Sequence, residues 1–186
     1  MVQVVIRVRP PLQRELHDWR PFQNTVDVDS SQTAITISEN LPAHHNNAGG
    51  VCDGLLYATQ RMTFDHIFTA AATQHEVYRR AAQPAVASTL QGYNATIIAY
   101  GQTGTGKTYT MEGDHEDRIH QGIVPRAITD IFSHISADQA AHNQYLVRAS
   151  YLQIYNDVIS DLLKEDRTNL TIRCAPVPWR RHHALP

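Results

Sequence analysis

Residues 101 to 108 constrain this chain more than any other stretch. Gly101, Gln102, Thr103, Gly104, Thr105, Gly106, Lys107 and Thr108 fit the pattern glycine, four residues, glycine, lysine, serine or threonine at every required position. Each residue type has a physical reason. The glycines let the backbone wrap a phosphate with amides pointing inward. Lys107 supplies a point charge for β- and γ-phosphates, and Thr108 a hydroxyl for the magnesium ion that bridges them. A following helix would add the positive end of its dipole. Such a match arises by chance about once in a few hundred chains of this length, so the context decides. Residues 95 to 100 (Ala-Thr-Ile-Ile-Ala-Tyr) read as a buried strand running straight into the motif, with a helix expected after it. Strand, loop and helix form the setting that an ATP or GTP cradle needs.

The flanking chain reads as alternating strands and helices. Residues 2 to 8 are rich in β-branched side chains and stop at Pro10 and Pro11, which suits a strand ending in a turn. Residues 26 to 37 predict a further short strand. From 38 to 60 the periodicity is lost, and Pro42, His44, His45, Asn46, Asn47, Gly49 and Gly50 predict a long surface loop or insertion. Thr73 and Glu76 form a capping box that opens a helix running to a Gly92 stop, with Pro84 expected to kink it.

After the central motif, a polar loop spans 113 to 122. A helix follows, with Pro125 in its first turn and Ile128, Ile131, Phe132 and Ile135 on its apolar side. Residues 145 to 155 predict a strand, 157 to 163 a short helix, and 170 to 173 another strand. Together these predict an α/β, three-layer fold with a central, mostly parallel sheet.

Composition excludes several classes. With 42% hydrophobic and 18% charged residues, the chain belongs with globular rather than disordered sequences. A net charge of −2 gives no global field toward nucleic acid or an anionic membrane, so neither is expected as a partner. No apolar run reaches membrane-spanning length. Two cysteines, Cys52 and Cys174, cannot build a disulfide framework, and a reducing, intracellular compartment is the simplest expectation. His44 and His45 near Cys52, and the pair His182 and His183, lack the paired spacing of metal ligands. Asp114, Glu116 and Asp117 could hold a cation, but a solvated loop is the better reading.

At this point the match to one family is close. The segment Val-Val-Ile-Arg-Val-Arg-Pro ending at Pro10 resembles the opening strand of kinesins. Thr-Phe-Asp-His-Ile-Phe from Thr63, and the run from Gly92 through the phosphate loop to Gly113, are similar to two further kinesin stretches. Gly-Ile-Val-Pro-Arg from Gly122 and Ser-Tyr-Leu-Gln-Ile-Tyr-Asn from Ser150, followed by Asp161, Leu162 and Leu163, complete the order. The resemblance covers residues 2 to 173, read as the N-terminal portion of a kinesin-like motor domain, with 38 to 60 as its insertion. It implies that Arg7, Arg9 and Pro10 contact the nucleoside, that residues 101 to 108 hold the phosphates of ATP, and that Thr108 meets magnesium. It also implies ATP turnover coupled to movement along microtubules, and a cytoplasmic, cytoskeleton-associated protein. Ala95 departs from the glycine usual after Tyr-Asn, with little effect expected.

By the same resemblance, the acidic residue for the magnesium shell and the groups that position water come from an Asp-x-x-Gly and an Asn-x-x-Ser-Ser-Arg segment. Neither occurs here: after Lys107 the only glycines are Gly113 and Gly122, preceded at the third position by Thr110 and Ile119. Residues 174 to 186 hold three prolines and no periodicity, and read as a divergent tail. A misread gene model, a truncated product and a fragment all account for this, the first being favoured. The competing functional reading is a truncated nucleotide-binding or interaction protein without ATPase activity. An unrelated phosphate-loop kinase or GTPase is disfavoured by the Arg-x-Arg-Pro and Gly-Ile-Val-Pro-Arg segments.

Overall fold

The computed structural model of the chain describes residues 2–17, 24–40, 57–138, 143–164 and 166–172. They fall into two units, Met1–Asp138 and Gln139–Pro186. The strands of the first unit are β1 (Val5–Arg7), β2 (Val26–Val28), β3 (Ala34–Asn40), β4 (Tyr57–Thr63) and β5 (His66–Phe68). Its helices are α1 (Gln13–Leu16), α2 (Gln74–Val77), α3 (Gln83–Leu90), α4 (Lys107–Met111) and α5 (Ile123–Asp138).

Strands β1 and β5 pair in parallel, Val5 opposite His66 and Arg7 opposite Phe68. Strands β2, β3 and β4 form an antiparallel sheet in that order. Among the described residues, the parallel character expected of the sheet is therefore confined to one pair of strands. The single strand expected over 26 to 37 is two strands around a tight turn. Asp29 Oδ1 accepts from the amides of Thr33 and Ala34, both at 3.0 Å, while Gln32 takes a left-handed φ of 55°.

The stretch 38 to 60, expected to be a loop, is strand at both ends. Ser38 faces Thr59 and Asn40 faces Tyr57 in the β3–β4 ladder, and residues 41–56 lie outside the described residues. Periodicity failed as a signal there because the backbone ladder to the partner strand, rather than an alternating apolar pattern, carries the strand through these residues.

The expected helix from 73 is continuous to Leu90, but its middle, Tyr78–Ala82, is a π turn in which the Gln83 amide bonds the Tyr78 carbonyl. The cause is Pro84. In a regular α-helix its ring would strike the carbonyl four residues back, and it has no N–H to bond there. A wider turn absorbs both defects where a kink was expected. It also serves burial, because Gln74, Tyr78, Ala82 and Val86 are all buried at a spacing of four. At 3.6 residues per turn such a row drifts about 40° per step, and the wide turn offsets the drift. The helix opens on the anticipated capping box, with Glu76 N donating to Thr73 Oγ1 (3.2 Å) and Thr73 N to Glu76 Oε2 (2.8 Å). It closes on Gly92, at φ 95°, with Gly92 N bonded to Thr89 O (3.0 Å) and Tyr93 N to Ser88 O (3.1 Å).

Phe68, Val77, Tyr78, Ala82 and Ile123 form the core, with Val5, Ile97, Met111 and Ala127 packed against it. Residues 95 to 100 pair with no strand among the described residues, contrary to the expected buried strand. Their side chains alternate: Ile97 reaches the core, while Ile98 is 80% and Tyr100 98% exposed. Apolar residues on both faces are the mark of a central parallel strand. Here one face is covered, and no neighbouring strand among the described residues supplies a ladder.

In the second unit, β6 (Leu152–Tyr155) and β7 (Val158–Asp161) make an antiparallel hairpin. The helix expected over 157 to 163 is overturned: Asn156 and Asp157 both take positive φ, 46° and 61°, and turn the chain straight back. The strand expected over 145 to 155 is limited to its last four residues. No strand forms over 170–172, although Leu170 N bonds Ile159 O at 2.9 Å. Residue 173 and the expected tail, 174 to 186, lie outside the described residues.

Candidate functional site: the phosphate loop

The loop from Gly101 to Gly106 folds as its glycines require. Gly104 and Gly106 take φ of 87° and 93°, and a Cβ at Gly101 would stand 2.7 Å from Thr105 Oγ1. Thr105 Oγ1 donates to Gln102 O at 2.8 Å, which closes the turn. Lys107 Nζ donates to Gly101 O (2.8 Å) and Gln102 O (2.9 Å). The lysine thus folds back onto its own loop, held by two carbonyls and, among the described residues, by no carboxylate. Thr108 follows in the first turn of α4, whose leading amides have no intrahelical partner. Thr103 lies in the turn of the loop.

The loop suits a phosphate group: left-handed glycines shape it, and its ammonium can leave two neutral acceptors for an anion. The dipole expected from the following helix is curtailed, since α4 is only five residues long before the chain enters the loop at 113–122.

Two arginines from the β1 end flank this loop. Arg9 Nε donates to Gly104 O at 2.9 Å, and its two terminal nitrogens chelate Glu15 at 2.8 and 2.6 Å. Glu15 Oε2 also accepts from Leu12 N at 2.8 Å, pinning the start of α1. The Arg9 hydrogen bonds, followed by that of Leu12, hold the Glu15 carboxyl down at about 2. Pro10 contributes its carbonyl to Arg9 at 3.0 Å. Arg7 turns inward instead. Its NH1 donates to Gln74 Oε1 (2.9 Å) and Thr110 Oγ1 (3.0 Å), and its guanidinium lies 5.3 Å from the Tyr109 ring centre. Burial pushes its pKa down, with the Tyr109 interaction opposing. The structure therefore brings Arg9 and residues 101–108 together directly, and joins Arg7 to the helix behind them.

The acidic loop after α4 is organised by its own hydrogen bonds. Asp114 Oδ1 accepts from Glu116 N (2.9 Å), Asp117 Oδ1 from Ile119 N (2.8 Å), and Asp117 Oδ2 lies 2.7 Å from His120 Nδ1. Arg126 donates to the carbonyls of Arg118, Ile119 and Gln121 at 2.9–3.1 Å. Among the described residues no group of three His, Cys, Asp or Glu side chains could hold a metal ion. His44, His45, Cys52, His182 and His183 lie outside the described residues. Sequence reasoning passed over Gln74, Tyr109, Thr110 and Glu15. The capping box at Thr73 put Gln74 first in its helix, but gave no sign of where its side chain reaches.

A strand-like segment, a glycine loop with its lysine and a short helix on an α/β frame define the phosphate-loop class of folds. The family model for the kinesin motor domain matches residues 7–178, and the chain belongs to the kinesin family. It is 38% identical over 165 residues to the kinesin-like protein KIF3C of Mus musculus, and 49% to that of Bos taurus, covering 89% of this chain and 19% of each relative. It is 40% identical over 158 residues to kinesin-like protein klp-20 of Caenorhabditis elegans, covering 84% of this chain and 24% of the relative. A solved structure, described as that of a fast kinesin with implications for ATPase mechanism and interactions with microtubules, superposes with a TM-score of 0.78 at 32% identity. That match covers 94% of this chain and 44% of the solved one. The α/β kinesin-type fold expected from the sequence is borne out, and the chain spans about a fifth to a quarter of the length of these curated relatives.

Proposed function

We propose that this chain is the ATP-binding part of a kinesin motor which, as a whole protein, couples ATP hydrolysis to movement along microtubules. The observation that carries the reading is Lys107, held on Gly101 O and Gln102 O at the start of a glycine loop within a kinesin match. Residues 101 to 108 would wrap the triphosphate, and Lys107 would exchange its two carbonyls for β- and γ-phosphate oxygens. Thr108 would offer its hydroxyl to the magnesium ion that accompanies the triphosphate. Arg7, Arg9 and Pro10 would border the nucleoside. Tubulin is the partner and the cytoplasmic cytoskeleton the location that go with this reading. Among the described residues no helix is long and apolar enough to cross a membrane.

A second reading, a nucleotide-binding chain without turnover, rests on the uncovered faces of Ile98 and Tyr100 beside the loop. Two measurements separate them. Equilibrium binding of Mg-ATP with and without chelator tests the cradle. ATPase rate of the full-length product, with and without microtubules, tests the motor: stimulation by microtubules supports the first reading, and nucleotide binding without turnover supports the second.

A further inference from the structure

The side chain of Gln74 is buried, only 4% exposed, at the first position of α2, and every hydrogen-bonding group of its amide is used. Its Oε1 accepts from Arg7 NH1 at 2.9 Å. Its Nε2 donates to Tyr109 O at 2.7 Å and to His120 O at 3.0 Å. The orientation of the amide is fixed by chemistry. A guanidinium only donates and must face the oxygen, whereas two carbonyls only accept and must face the nitrogen.

Both carbonyls have structural weight. Tyr109 O belongs to the last turn of α4, where it would ordinarily take the amide of residue 113. That amide turns to Thr108 O instead, at 3.3 Å. Gln74 supplies the missing donor. His120 O closes the base of the 113–122 loop, where it also accepts from Asp114 N at 3.0 Å. One side chain therefore bonds the helix that carries Lys107 and Thr108, the loop that follows it, and the Arg7 side chain of β1. Arg7 in turn bonds Thr110 of the same helix at 3.0 Å.

We propose that Gln74 is a positioning residue for the phosphate loop: it locks α4 and the 113–122 loop together, so that nucleotide binding at Lys107 and Thr108 is felt in that loop. This rests on the nucleotide-binding reading above. A merely space-filling Gln74 would pack against α4 without coupling the two segments. The bonded Gln74 transmits order from one to the other, because removing it takes the side-chain donor from Tyr109 O and the acceptor from one Arg7 N–H, and leaves His120 O bonded to the Asp114 amide.

The test is Gln74→Met, which keeps length and volume but none of the bonds. Gln74→Glu serves equally should the methionine variant not fold, since it keeps the acceptor for Arg7 and loses both donors. Mg-ATP affinity, thermal midpoint and amide hydrogen exchange are measured on the full chain. In the wild type, Mg-ATP should slow exchange in 107–112 and in 113–122 together. In the variant, exchange across 107–122 should rise without nucleotide while α3 stays as before. Mg-ATP should bind about tenfold more weakly, and its protection of 113–122 should be lost. Wild-type exchange in 107–122, or protection of 113–122 retained in the variant, overturns the proposal. Lys107→Ala in the same assay keeps the two readings apart. Unchanged affinity there sinks the phosphate-loop assignment, while the nucleotide-free exchange still decides whether Gln74 locks the two segments.

Discussion

Lys107 Nζ stands 2.8 Å from the carbonyl oxygen of Gly101, the residue that opens its own loop. The ammonium is thereby held on neutral oxygens that an anion can replace. Replacing Lys107 with alanine should leave the thermal midpoint within a few degrees of wild type, since two part-exposed hydrogen bonds are lost. Mg-ATP affinity should fall at least roughly thirtyfold, the scale of a charge-assisted contact to phosphate. Titration with a fluorescent ATP analogue measures it, and an unchanged affinity in the folded variant removes the assignment.

Two glycines with left-handed backbones should respond very differently to alanine. At Gly92 nothing lies within 4 Å of an added Cβ, so only the backbone penalty remains, about 1 kcal/mol. At Gly113 the Cβ would run into the backbone oxygen of His120 and the backbone nitrogen of Gly122, which the loop cannot hold without opening. Roughly 2–4 kcal/mol is expected there. Urea unfolding of Gly92→Ala and Gly113→Ala should show that order; equal losses would contradict the loop geometry.

Tyr78 donates its buried hydroxyl to Asp130 Oδ2 at 2.6 Å, tying the π turn to α5. Gln83 Nε2 reaches the same oxygen at 3.1 Å. Tyr78→Phe should cost about 1–2 kcal/mol and lower the midpoint by a few degrees. Burial, then the Asp130 hydrogen bond, pushes the Tyr78 pKa up. A raised folded pKa stabilises at lower pH and is lost as pH rises. The deficit of Tyr78→Phe should therefore shrink above pH 10, the ordinary tyrosine value, in melts taken across the alkaline range.

Glu15 gives the opposite pH signature. Its carboxyl is held at about 2 rather than the ordinary 4.5, so its contribution is complete above that ordinary value and is lost as pH falls toward 2. Both partners of the Arg9 pair are partly exposed, so the effect should be small and screened by salt. Glu15→Gln should lower the midpoint slightly at pH 6 and match the wild type near pH 2. A difference that persists in acid would show that packing rather than charge is responsible.

What the sequence revealed was what its neighbours in sequence decide. The Thr73–Glu76 cap, the Gly92 stop and the glycine turn at 101–106 each depend on residues a few positions apart, and all three turns form in the structure. The segment at 95–100 was legible as an extended, doubly apolar stretch, but a ladder is made by another strand, which no local pattern can supply. Asp157, directly after Asn156, was read as the start of a short helix. Their tolerance of positive φ, flanked by Ile154 and Ile159, was the available signal for a hairpin. Gln74 was invisible because its partners lie 35 and 46 residues away. Nothing in its own neighbourhood separates a surface glutamine from a buried one.

The β3–β4 ladder ends with Asn40 facing Tyr57. Once those two residues are paired, the length of chain between them matters little to stability, because closing a loop twice as long costs only about 0.6 kcal/mol more. The sequence distance between Asn40 and Tyr57 is thus permissive: an epitope or a small reporter module could be spliced between these two positions while the ladder keeps its register.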